Sequence, residues 1–284
     1  AGRGLIVPLK LAGTNEPPDY AITSPNSWNR SNCITRAATE EPGMSGMSIV
    51  TYDRHIELDI KTKEPFDRIW AFHHREAPLL TVPDSLSDGI CCPALDNDEM
   101  TLIPLSRPVE QIRLCASVAD SSFAHSAFYG FSLENGRSGV LYHSFGINGN
   151  TYAAINRNPQ IVRQASGLCP DLVIVSLGTN DSYGASFDPA DADVQITRLI
   201  DSIRRNMPAS VLLLTTPMEH CRRIRSKGRT YRKPNPNACA MRECILRQAA
   251  LYRLPVWDFY AAAGGDGAMG RWADLGIANA DRVH

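Results

Sequence analysis

The stretch "DLVIVSLGTNDSYG", Asp171 to Gly184, decides the fold. Its first half carries the apolar run Leu172 to Val175, rich in β-branched residues. That is the texture of a strand buried on both faces of a parallel sheet. Its second half, Gly178-Thr179-Asn180-Asp181, is small and polar. In open α/β sheets, functional side chains gather at the carboxyl ends of strands, so Asn180 stands where a ligand would lie. The same four residues also suit an ordinary strand-to-helix turn, where Gly, Asn and Asp are favoured for backbone reasons alone.

Downstream, strand and helix patterns alternate. "DADVQITRLIDSIRRNM" puts Ile196, Leu199, Ile200, Ile203 and Met207 on one helical face behind an acidic start. "SVLLLTTP" reads as a strand, "AMRECILRQAALYRL" as a helix with Met241, Ile245, Ala249 and Tyr252 on one face, and "PVWDFY" as another strand. This order predicts βαβ units and an α/β fold with a parallel sheet. "YAAINRNPQIVRQA" predicts helix interrupted at Pro159. Residues 30–142 differ in texture. "HIELDIK", "FDRIWAFHH", "EQIRLCASV" and "SAFYGFSLE" are short β-rich runs separated by "DSLSDG", "LDNDE" and "ENGRSG", a spacing that predicts an all-β sandwich.

The 284 residues carry a net charge of −1, so no global field favours nucleic acid or an anionic membrane. No apolar run reaches the roughly 18 residues of a transmembrane segment. "AGRGLIVPLKLAG" lacks the pattern of a signal peptide. No pair among the eight Cys has zinc-ribbon spacing. They read either as buried thiols or as one or two disulfides, with Cys221 to Cys239 or Cys244 the best candidate. His73 and His74 are neighbours on a strand pattern and point to opposite faces, so no metal is assigned and no cofactor is expected.

Two further features bear on Asn180. "GINGN" ahead of it is a Gly-rich turn that can present backbone N–H groups to an anion. "DRVH" behind it spaces Asp281 and His284 by three residues, which lets a carboxylate hold one imidazole nitrogen and leave the other as a base. In this order, with 31 residues from Gly149 to Asn180 and 101 from Asn180 to Asp281, "GINGNTY", "VSLGTND" and "DRVH" resemble the second, third and fifth blocks of the SGNH (GDSL-type) hydrolases. The resemblance implies a flavodoxin-like three-layer domain. It implies that the Gly149 N–H and the Asn180 side-chain amide form an oxyanion hole, that His284 is the general base and that Asp281 orients it. The layout is also similar to bacterial peptidoglycan O-acetylesterases with an inserted jelly-roll, carbohydrate-binding-module-like β-domain. On that layout, residues 1–29 and 143–284 form the hydrolase domain and 30–142 the insert.

The first block, Gly-Asp-Ser with the nucleophile, is absent. Ser45, Ser176 and Ser182 do not occupy the strand-to-helix turn it requires. The family layout places the nucleophilic Ser upstream of residue 1, so the 284 residues alone are expected to be inactive. The resemblance implies a serine esterase acting on O-acyl, chiefly O-acetyl, esters of a glycan outside the cytoplasm. A non-catalytic glycan-binding protein and an O-acetyltransferase remain alternatives. Finally, residues 219–247 carry nine Lys or Arg. They read either as a solvated polar loop or as a cationic rim for an anionic glycan.

Overall fold

The structure is a computed structural model that describes residues 1–9, 18–35, 40–88, 92–94, 97–119, 123–279 and 281–283. In chain order the first elements are β1 (Gly2–Ile6), β2 (Tyr20–Thr23), β3 (Asn29–Asn32), β4 (Met47–Thr51), β5 (His55–His73), β6 (Cys92–Ala94), β7 (Asn97–Ser117) and β8 (Ser126–Glu134). Then follow α1 (Tyr152–Asn156), α2 (Gln160–Ala165), β9 (Leu172–Ser176), α3 (Thr179–Tyr183), α4 (Pro189–Asn206) and β10 (Val211–Thr215). The last are β11 (Cys221–Ser226), β12 (Arg229–Pro234), α5 (Pro236–Tyr252), β13 (Val256–Trp257), α6 (Phe259–Ala262) and α7 (Ala268–Asp274). The chain divides into two compact units, Ala1–Asn148 with Asn158–Leu168, and Gly149–Arg157 with Cys169–His284.

The first unit is an eight-stranded antiparallel sheet, ordered β3-β4-β8-β5-β7-β6, with β1 on β8 and β2 on β5. Ile56, Leu58 and Ile60 alternate inward as their period-two pattern requires and are fully buried. Phe66, Ile69, Phe128 and Phe131 extend the same core.

Two expectations are revised here. "HIELDIK" and "FDRIWAFHH" are one strand, β5, not two. Its register on β7 shifts between Lys61 and Phe66, and Pro65 falls in that gap, where a missing N–H interrupts no ladder bond. The first half of β5 pairs with β2 and the second half with β8, so one strand carries both neighbours on either side of its register shift. The described strands of this unit are thus hydrogen-bonded into one sheet. In addition, β1 and β2, within residues 1–29, pair with this sheet. The expected division at residue 29/30 therefore does not follow the hydrogen bonding.

In the second unit, β13, β10 and β9 form a parallel sheet in that order. Asp188 caps α4 by accepting from the Ala190 N–H at 2.9 Å, with Pro189 next to it at the helix start. Asn235 and Pro236 repeat that arrangement at α5. The predicted helical stripes are buried: Ile196, Leu199, Ile200 and Ile203 on α4, and Met241, Ile245 and Ala249 on α5.

The expectation that β9 is buried on both faces is corrected. Val175 is buried, but Leu172 and Ile174 on the opposite face are each 49% exposed. An apolar run shows that a strand is apolar on both faces, but not what covers each face. Within the polar stretch 219–247, residues 221–234 are not a loop but the antiparallel β11–β12 hairpin. Its two-residue turn is Lys227-Gly228, both at positive φ (47° and 75°), the geometry of a type I′ hairpin turn. Cys221, Cys239 and Cys244 are free thiols, so the expected staple is not present. The hairpin is fastened instead through its backbone, where the Cys221 N–H donates to the Arg282 carbonyl at 2.8 Å. Among the described residues, no helix is long and apolar enough to cross a membrane.

Candidate active site

Asn180 lies in the first turn of α3, two residues beyond Gly178, which follows the carboxyl end of β9. The turn works because Gly178 adopts φ +117°, a conformation that favours glycine. A Cβ there would also sit 3.1 Å from Met241 Cγ and 3.2 Å from Pro217 Cδ. Gly178→Ala should therefore destabilise the protein by about 1–3 kcal/mol. Urea unfolding checks this, and an unchanged midpoint would contradict the steric reading.

The Asn180 side chain donates through Nδ2 to the Asn150 carbonyl at 3.0 Å. That bond joins the third sequence block to the second. Gly149 is exposed at φ +83°, in the left-handed region of the turn that Asn180 reaches. Next to it, Thr151 caps α1 by accepting from the Ala154 N–H at 3.0 Å. Asp181 completes the joint: its Oδ1 accepts from the Tyr152 N–H at 2.9 Å. Two adjacent side chains of α3 thus fix the backbone of the Gly149–Tyr152 turn. The carboxyl end of β9 is where this occurs, the position that α/β sheets use for ligands.

Burial is the main influence on Asp181 and pushes its carboxyl up to about 6, with backbone N–H donors such as Tyr152 only partly offsetting it. The folded value lies above the ordinary 3.8. The folded state therefore holds the proton more tightly, and stability falls as pH rises from about 4 to about 6. The cost above that window is on the order of 2–3 kcal/mol at most. Asp181→Asn should flatten this fall, because the amide oxygen still accepts from Tyr152. Melting temperature measured against pH tests it; a variant with the same pH slope as the parent would refute the assignment. Burial likewise pushes the neighbouring Tyr152 phenol upward.

Asp281 lies in the described part of the C-terminal block, and its Oδ1 accepts from the Val283 N–H at 2.9 Å. Its loop is tied to the β11–β12 hairpin: Cys221 N–H donates to the Arg282 carbonyl at 2.8 Å, and Arg232 donates to the Asp281 carbonyl. His284 lies outside the described residues. The three serines weighed as nucleophiles have structural partners. Ser182 donates to the Gly178 carbonyl at 2.7 Å, Ser176 Oγ accepts from Thr215 Oγ1 at 3.0 Å, and Ser45 donates to the Tyr129 carbonyl.

Sequence reasoning missed Asn235 and Asp181. Asn235 is buried, and its Nδ2 donates to the Ser182 carbonyl at 2.8 Å and the Tyr183 carbonyl at 3.2 Å. It holds the far end of the helix that bears Asn180. Its only sequence signal was Asn before Pro236, read as part of a loop. His73, considered for a metal, is buried with Nδ1 2.9 Å from the His74 carbonyl and Nε2 2.7 Å from Thr101 Oγ1.

The chain belongs to the GDSL-like lipase/acylhydrolase family, whose profile matches residues 119–284. No curated protein matches it. Among solved structures, a peptidoglycan O-acetylesterase is similar with a TM-score of 0.75 and 18% identity, over 100% of this chain and 76% of that one. That likeness shows the fold. A possible lipase from Chitinophaga pinensis DSM 2588 (TM-score 0.32, 22% identity, 42% of this chain and 52% of that one) overlays too loosely to add to it. So does a family two carbohydrate esterase from Cellvibrio japonicus (TM-score 0.25, 9% identity, 84% and 88%).

Proposed function

We propose that the protein is a serine esterase that removes O-acyl, chiefly O-acetyl, groups from a glycan such as peptidoglycan, outside the cytoplasm. The bond from Asn180 Nδ2 to the Asn150 carbonyl carries the reading, because it sets a side-chain amide beside the Gly149 turn at the end of a parallel strand. Asn180 and the Gly149 N–H are the proposed oxyanion donors. Asp281 orients His284, and His284 takes the proton of the nucleophile. Ser45, Ser176 and Ser182 are already engaged in hydrogen bonds, which supports a nucleophile other than these three. The second unit, which holds the parallel sheet, is proposed as the flavodoxin-like, three-layer core of the hydrolase domain. Residues 30–142 are proposed as a carbohydrate-binding-module-like jelly-roll insert.

In this mechanism the serine Oγ attacks the ester carbonyl carbon as its proton passes to His284. The carbonyl oxygen becomes an oxyanion facing Gly149 and Asn180. His284 then protonates the departing sugar hydroxyl as the tetrahedral intermediate collapses to the acetyl-serine. Water repeats the sequence and releases acetate. The test is burst kinetics with a chromogenic acetyl ester. The chain joined to its serine-bearing segment should give a stoichiometric burst, and the 284 residues alone none. A full burst from the 284 residues alone would overturn the placement of the nucleophile.

A further inference from the structure

Seven of the fourteen residues from 221 to 234 are Lys or Arg, and none is Asp or Glu. The hairpin register places Arg222 opposite Lys233 and Arg223 opposite Arg232. Like charges directly opposed on a sheet are destabilising. The ion pairs of this unit, Arg242 with Asp258 and Glu243, and Arg247 with Asp193, use other residues. Among the described residues, the hairpin cations thus lack the carboxylate partners that arginines elsewhere in the unit have. Arg223 and Arg225 project from one exposed face of β11, and Lys227 and Arg229 flank Gly228 at the exposed tip. Unneutralised charge kept at such a cost fits an anionic partner.

We infer that the β11–β12 hairpin binds a carboxylate-bearing polysaccharide and delivers it to the loop of Asp281, to which Cys221 and Arg232 fasten it. The kind of polymer rests on the glycan-esterase reading, whereas the anionic character rests on the hairpin alone. Arginine forks match carboxylates bidentately. The tip Ser226-Lys227-Gly228-Arg229 has no apolar side chain to enter a membrane. Tyr231 is the hairpin's single aromatic residue, 45% exposed, which is one sugar-sized ring face rather than the series of rings on which nucleic-acid bases stack.

The test is co-sedimentation of the full chain with insoluble peptidoglycan that retains its peptide carboxyls, at low salt, and with the same material after its carboxyls are amidated. Arg223→Glu with Arg225→Glu should weaken binding about tenfold or more, and amidation should weaken it for the parent by a similar factor. Folding is kept, because a carboxylate at position 223 faces the Arg232 cation across the hairpin and relieves the repulsion there; circular dichroism checks this. The control Arg198→Glu with Arg205→Glu makes the same net-charge change on α4 and should leave binding nearly unchanged. Equal loss in both variants, indifference to amidation, or tighter binding to duplex DNA or phosphatidylglycerol vesicles would overturn the inference. Hairpin-dependent binding without any ester hydrolysis would remove the esterase reading and leave the hairpin inference standing; hydrolysis without hairpin-dependent binding would do the reverse.

Discussion

Asp281→Ala, made in the chain joined to its serine-bearing segment, is expected to lower kcat for a small acetyl ester by about 10⁴-fold. The proposed role of this carboxylate is to hold the His284 imidazole in one tautomer and to stabilise the imidazolium formed as the serine is deprotonated. Neither interaction is needed to bind the ester, so KM should change little. The fold should survive, because the carboxylate bond recorded for Asp281 is local, to the Val283 N–H two residues on. The Arg232 contact is to the Asp281 backbone carbonyl and does not depend on the side chain. A variant with parental kcat would remove Asp281 from the mechanism.

Asn180→Ala is the second large effect. Losing one oxyanion donor costs about 100- to 1000-fold in kcat, roughly 3–4 kcal/mol of transition-state stabilisation. The side chain also donates to the Asn150 carbonyl, so the variant loses a positioning bond for the Gly149 turn. The turn retains the Asp181 bond to Tyr152, which limits the structural loss. The distinguishing readout is the split between parameters: kcat falls while KM and the melting temperature stay close to the parent. A large loss of stability with parental kcat would mean that Asn180 is only a turn residue.

Much of the α/β unit was legible in the sequence for a physical reason. Helices α4 and α5 bury one stripe each, so Ile196, Leu199, Met241 and Ile245 recur at the helical period. Asn180 stood out because a polar residue closely follows an apolar strand. The hairpin was not legible, because nearly all its residues are exposed and nothing imposes apolar alternation. Its one cue was Lys227-Gly228, a weaker turn signal than Asn-Gly. The course of β5 was hidden by Glu64-Pro65, which reads as a break but lies in a register shift within one strand. The pairing of β1 with β8 had no signal in "GLIV", a short apolar run without alternation. Asp181 looked like a turn-forming residue beside Asn180, and its bond to Tyr152, 29 residues earlier, has no local sequence signature.

The central claim is covalent serine catalysis served by Asn180. Its most direct test is intact-protein mass spectrometry of the complete chain quenched during turnover of an acetyl ester, with peptide mapping of the product. The account predicts one acetyl group per chain, on a serine in the segment preceding residue 1, forming much more slowly in Asn180→Ala. An acetyl group on Ser45, Ser176 or Ser182, or turnover with no acetylated chain at all, would contradict it.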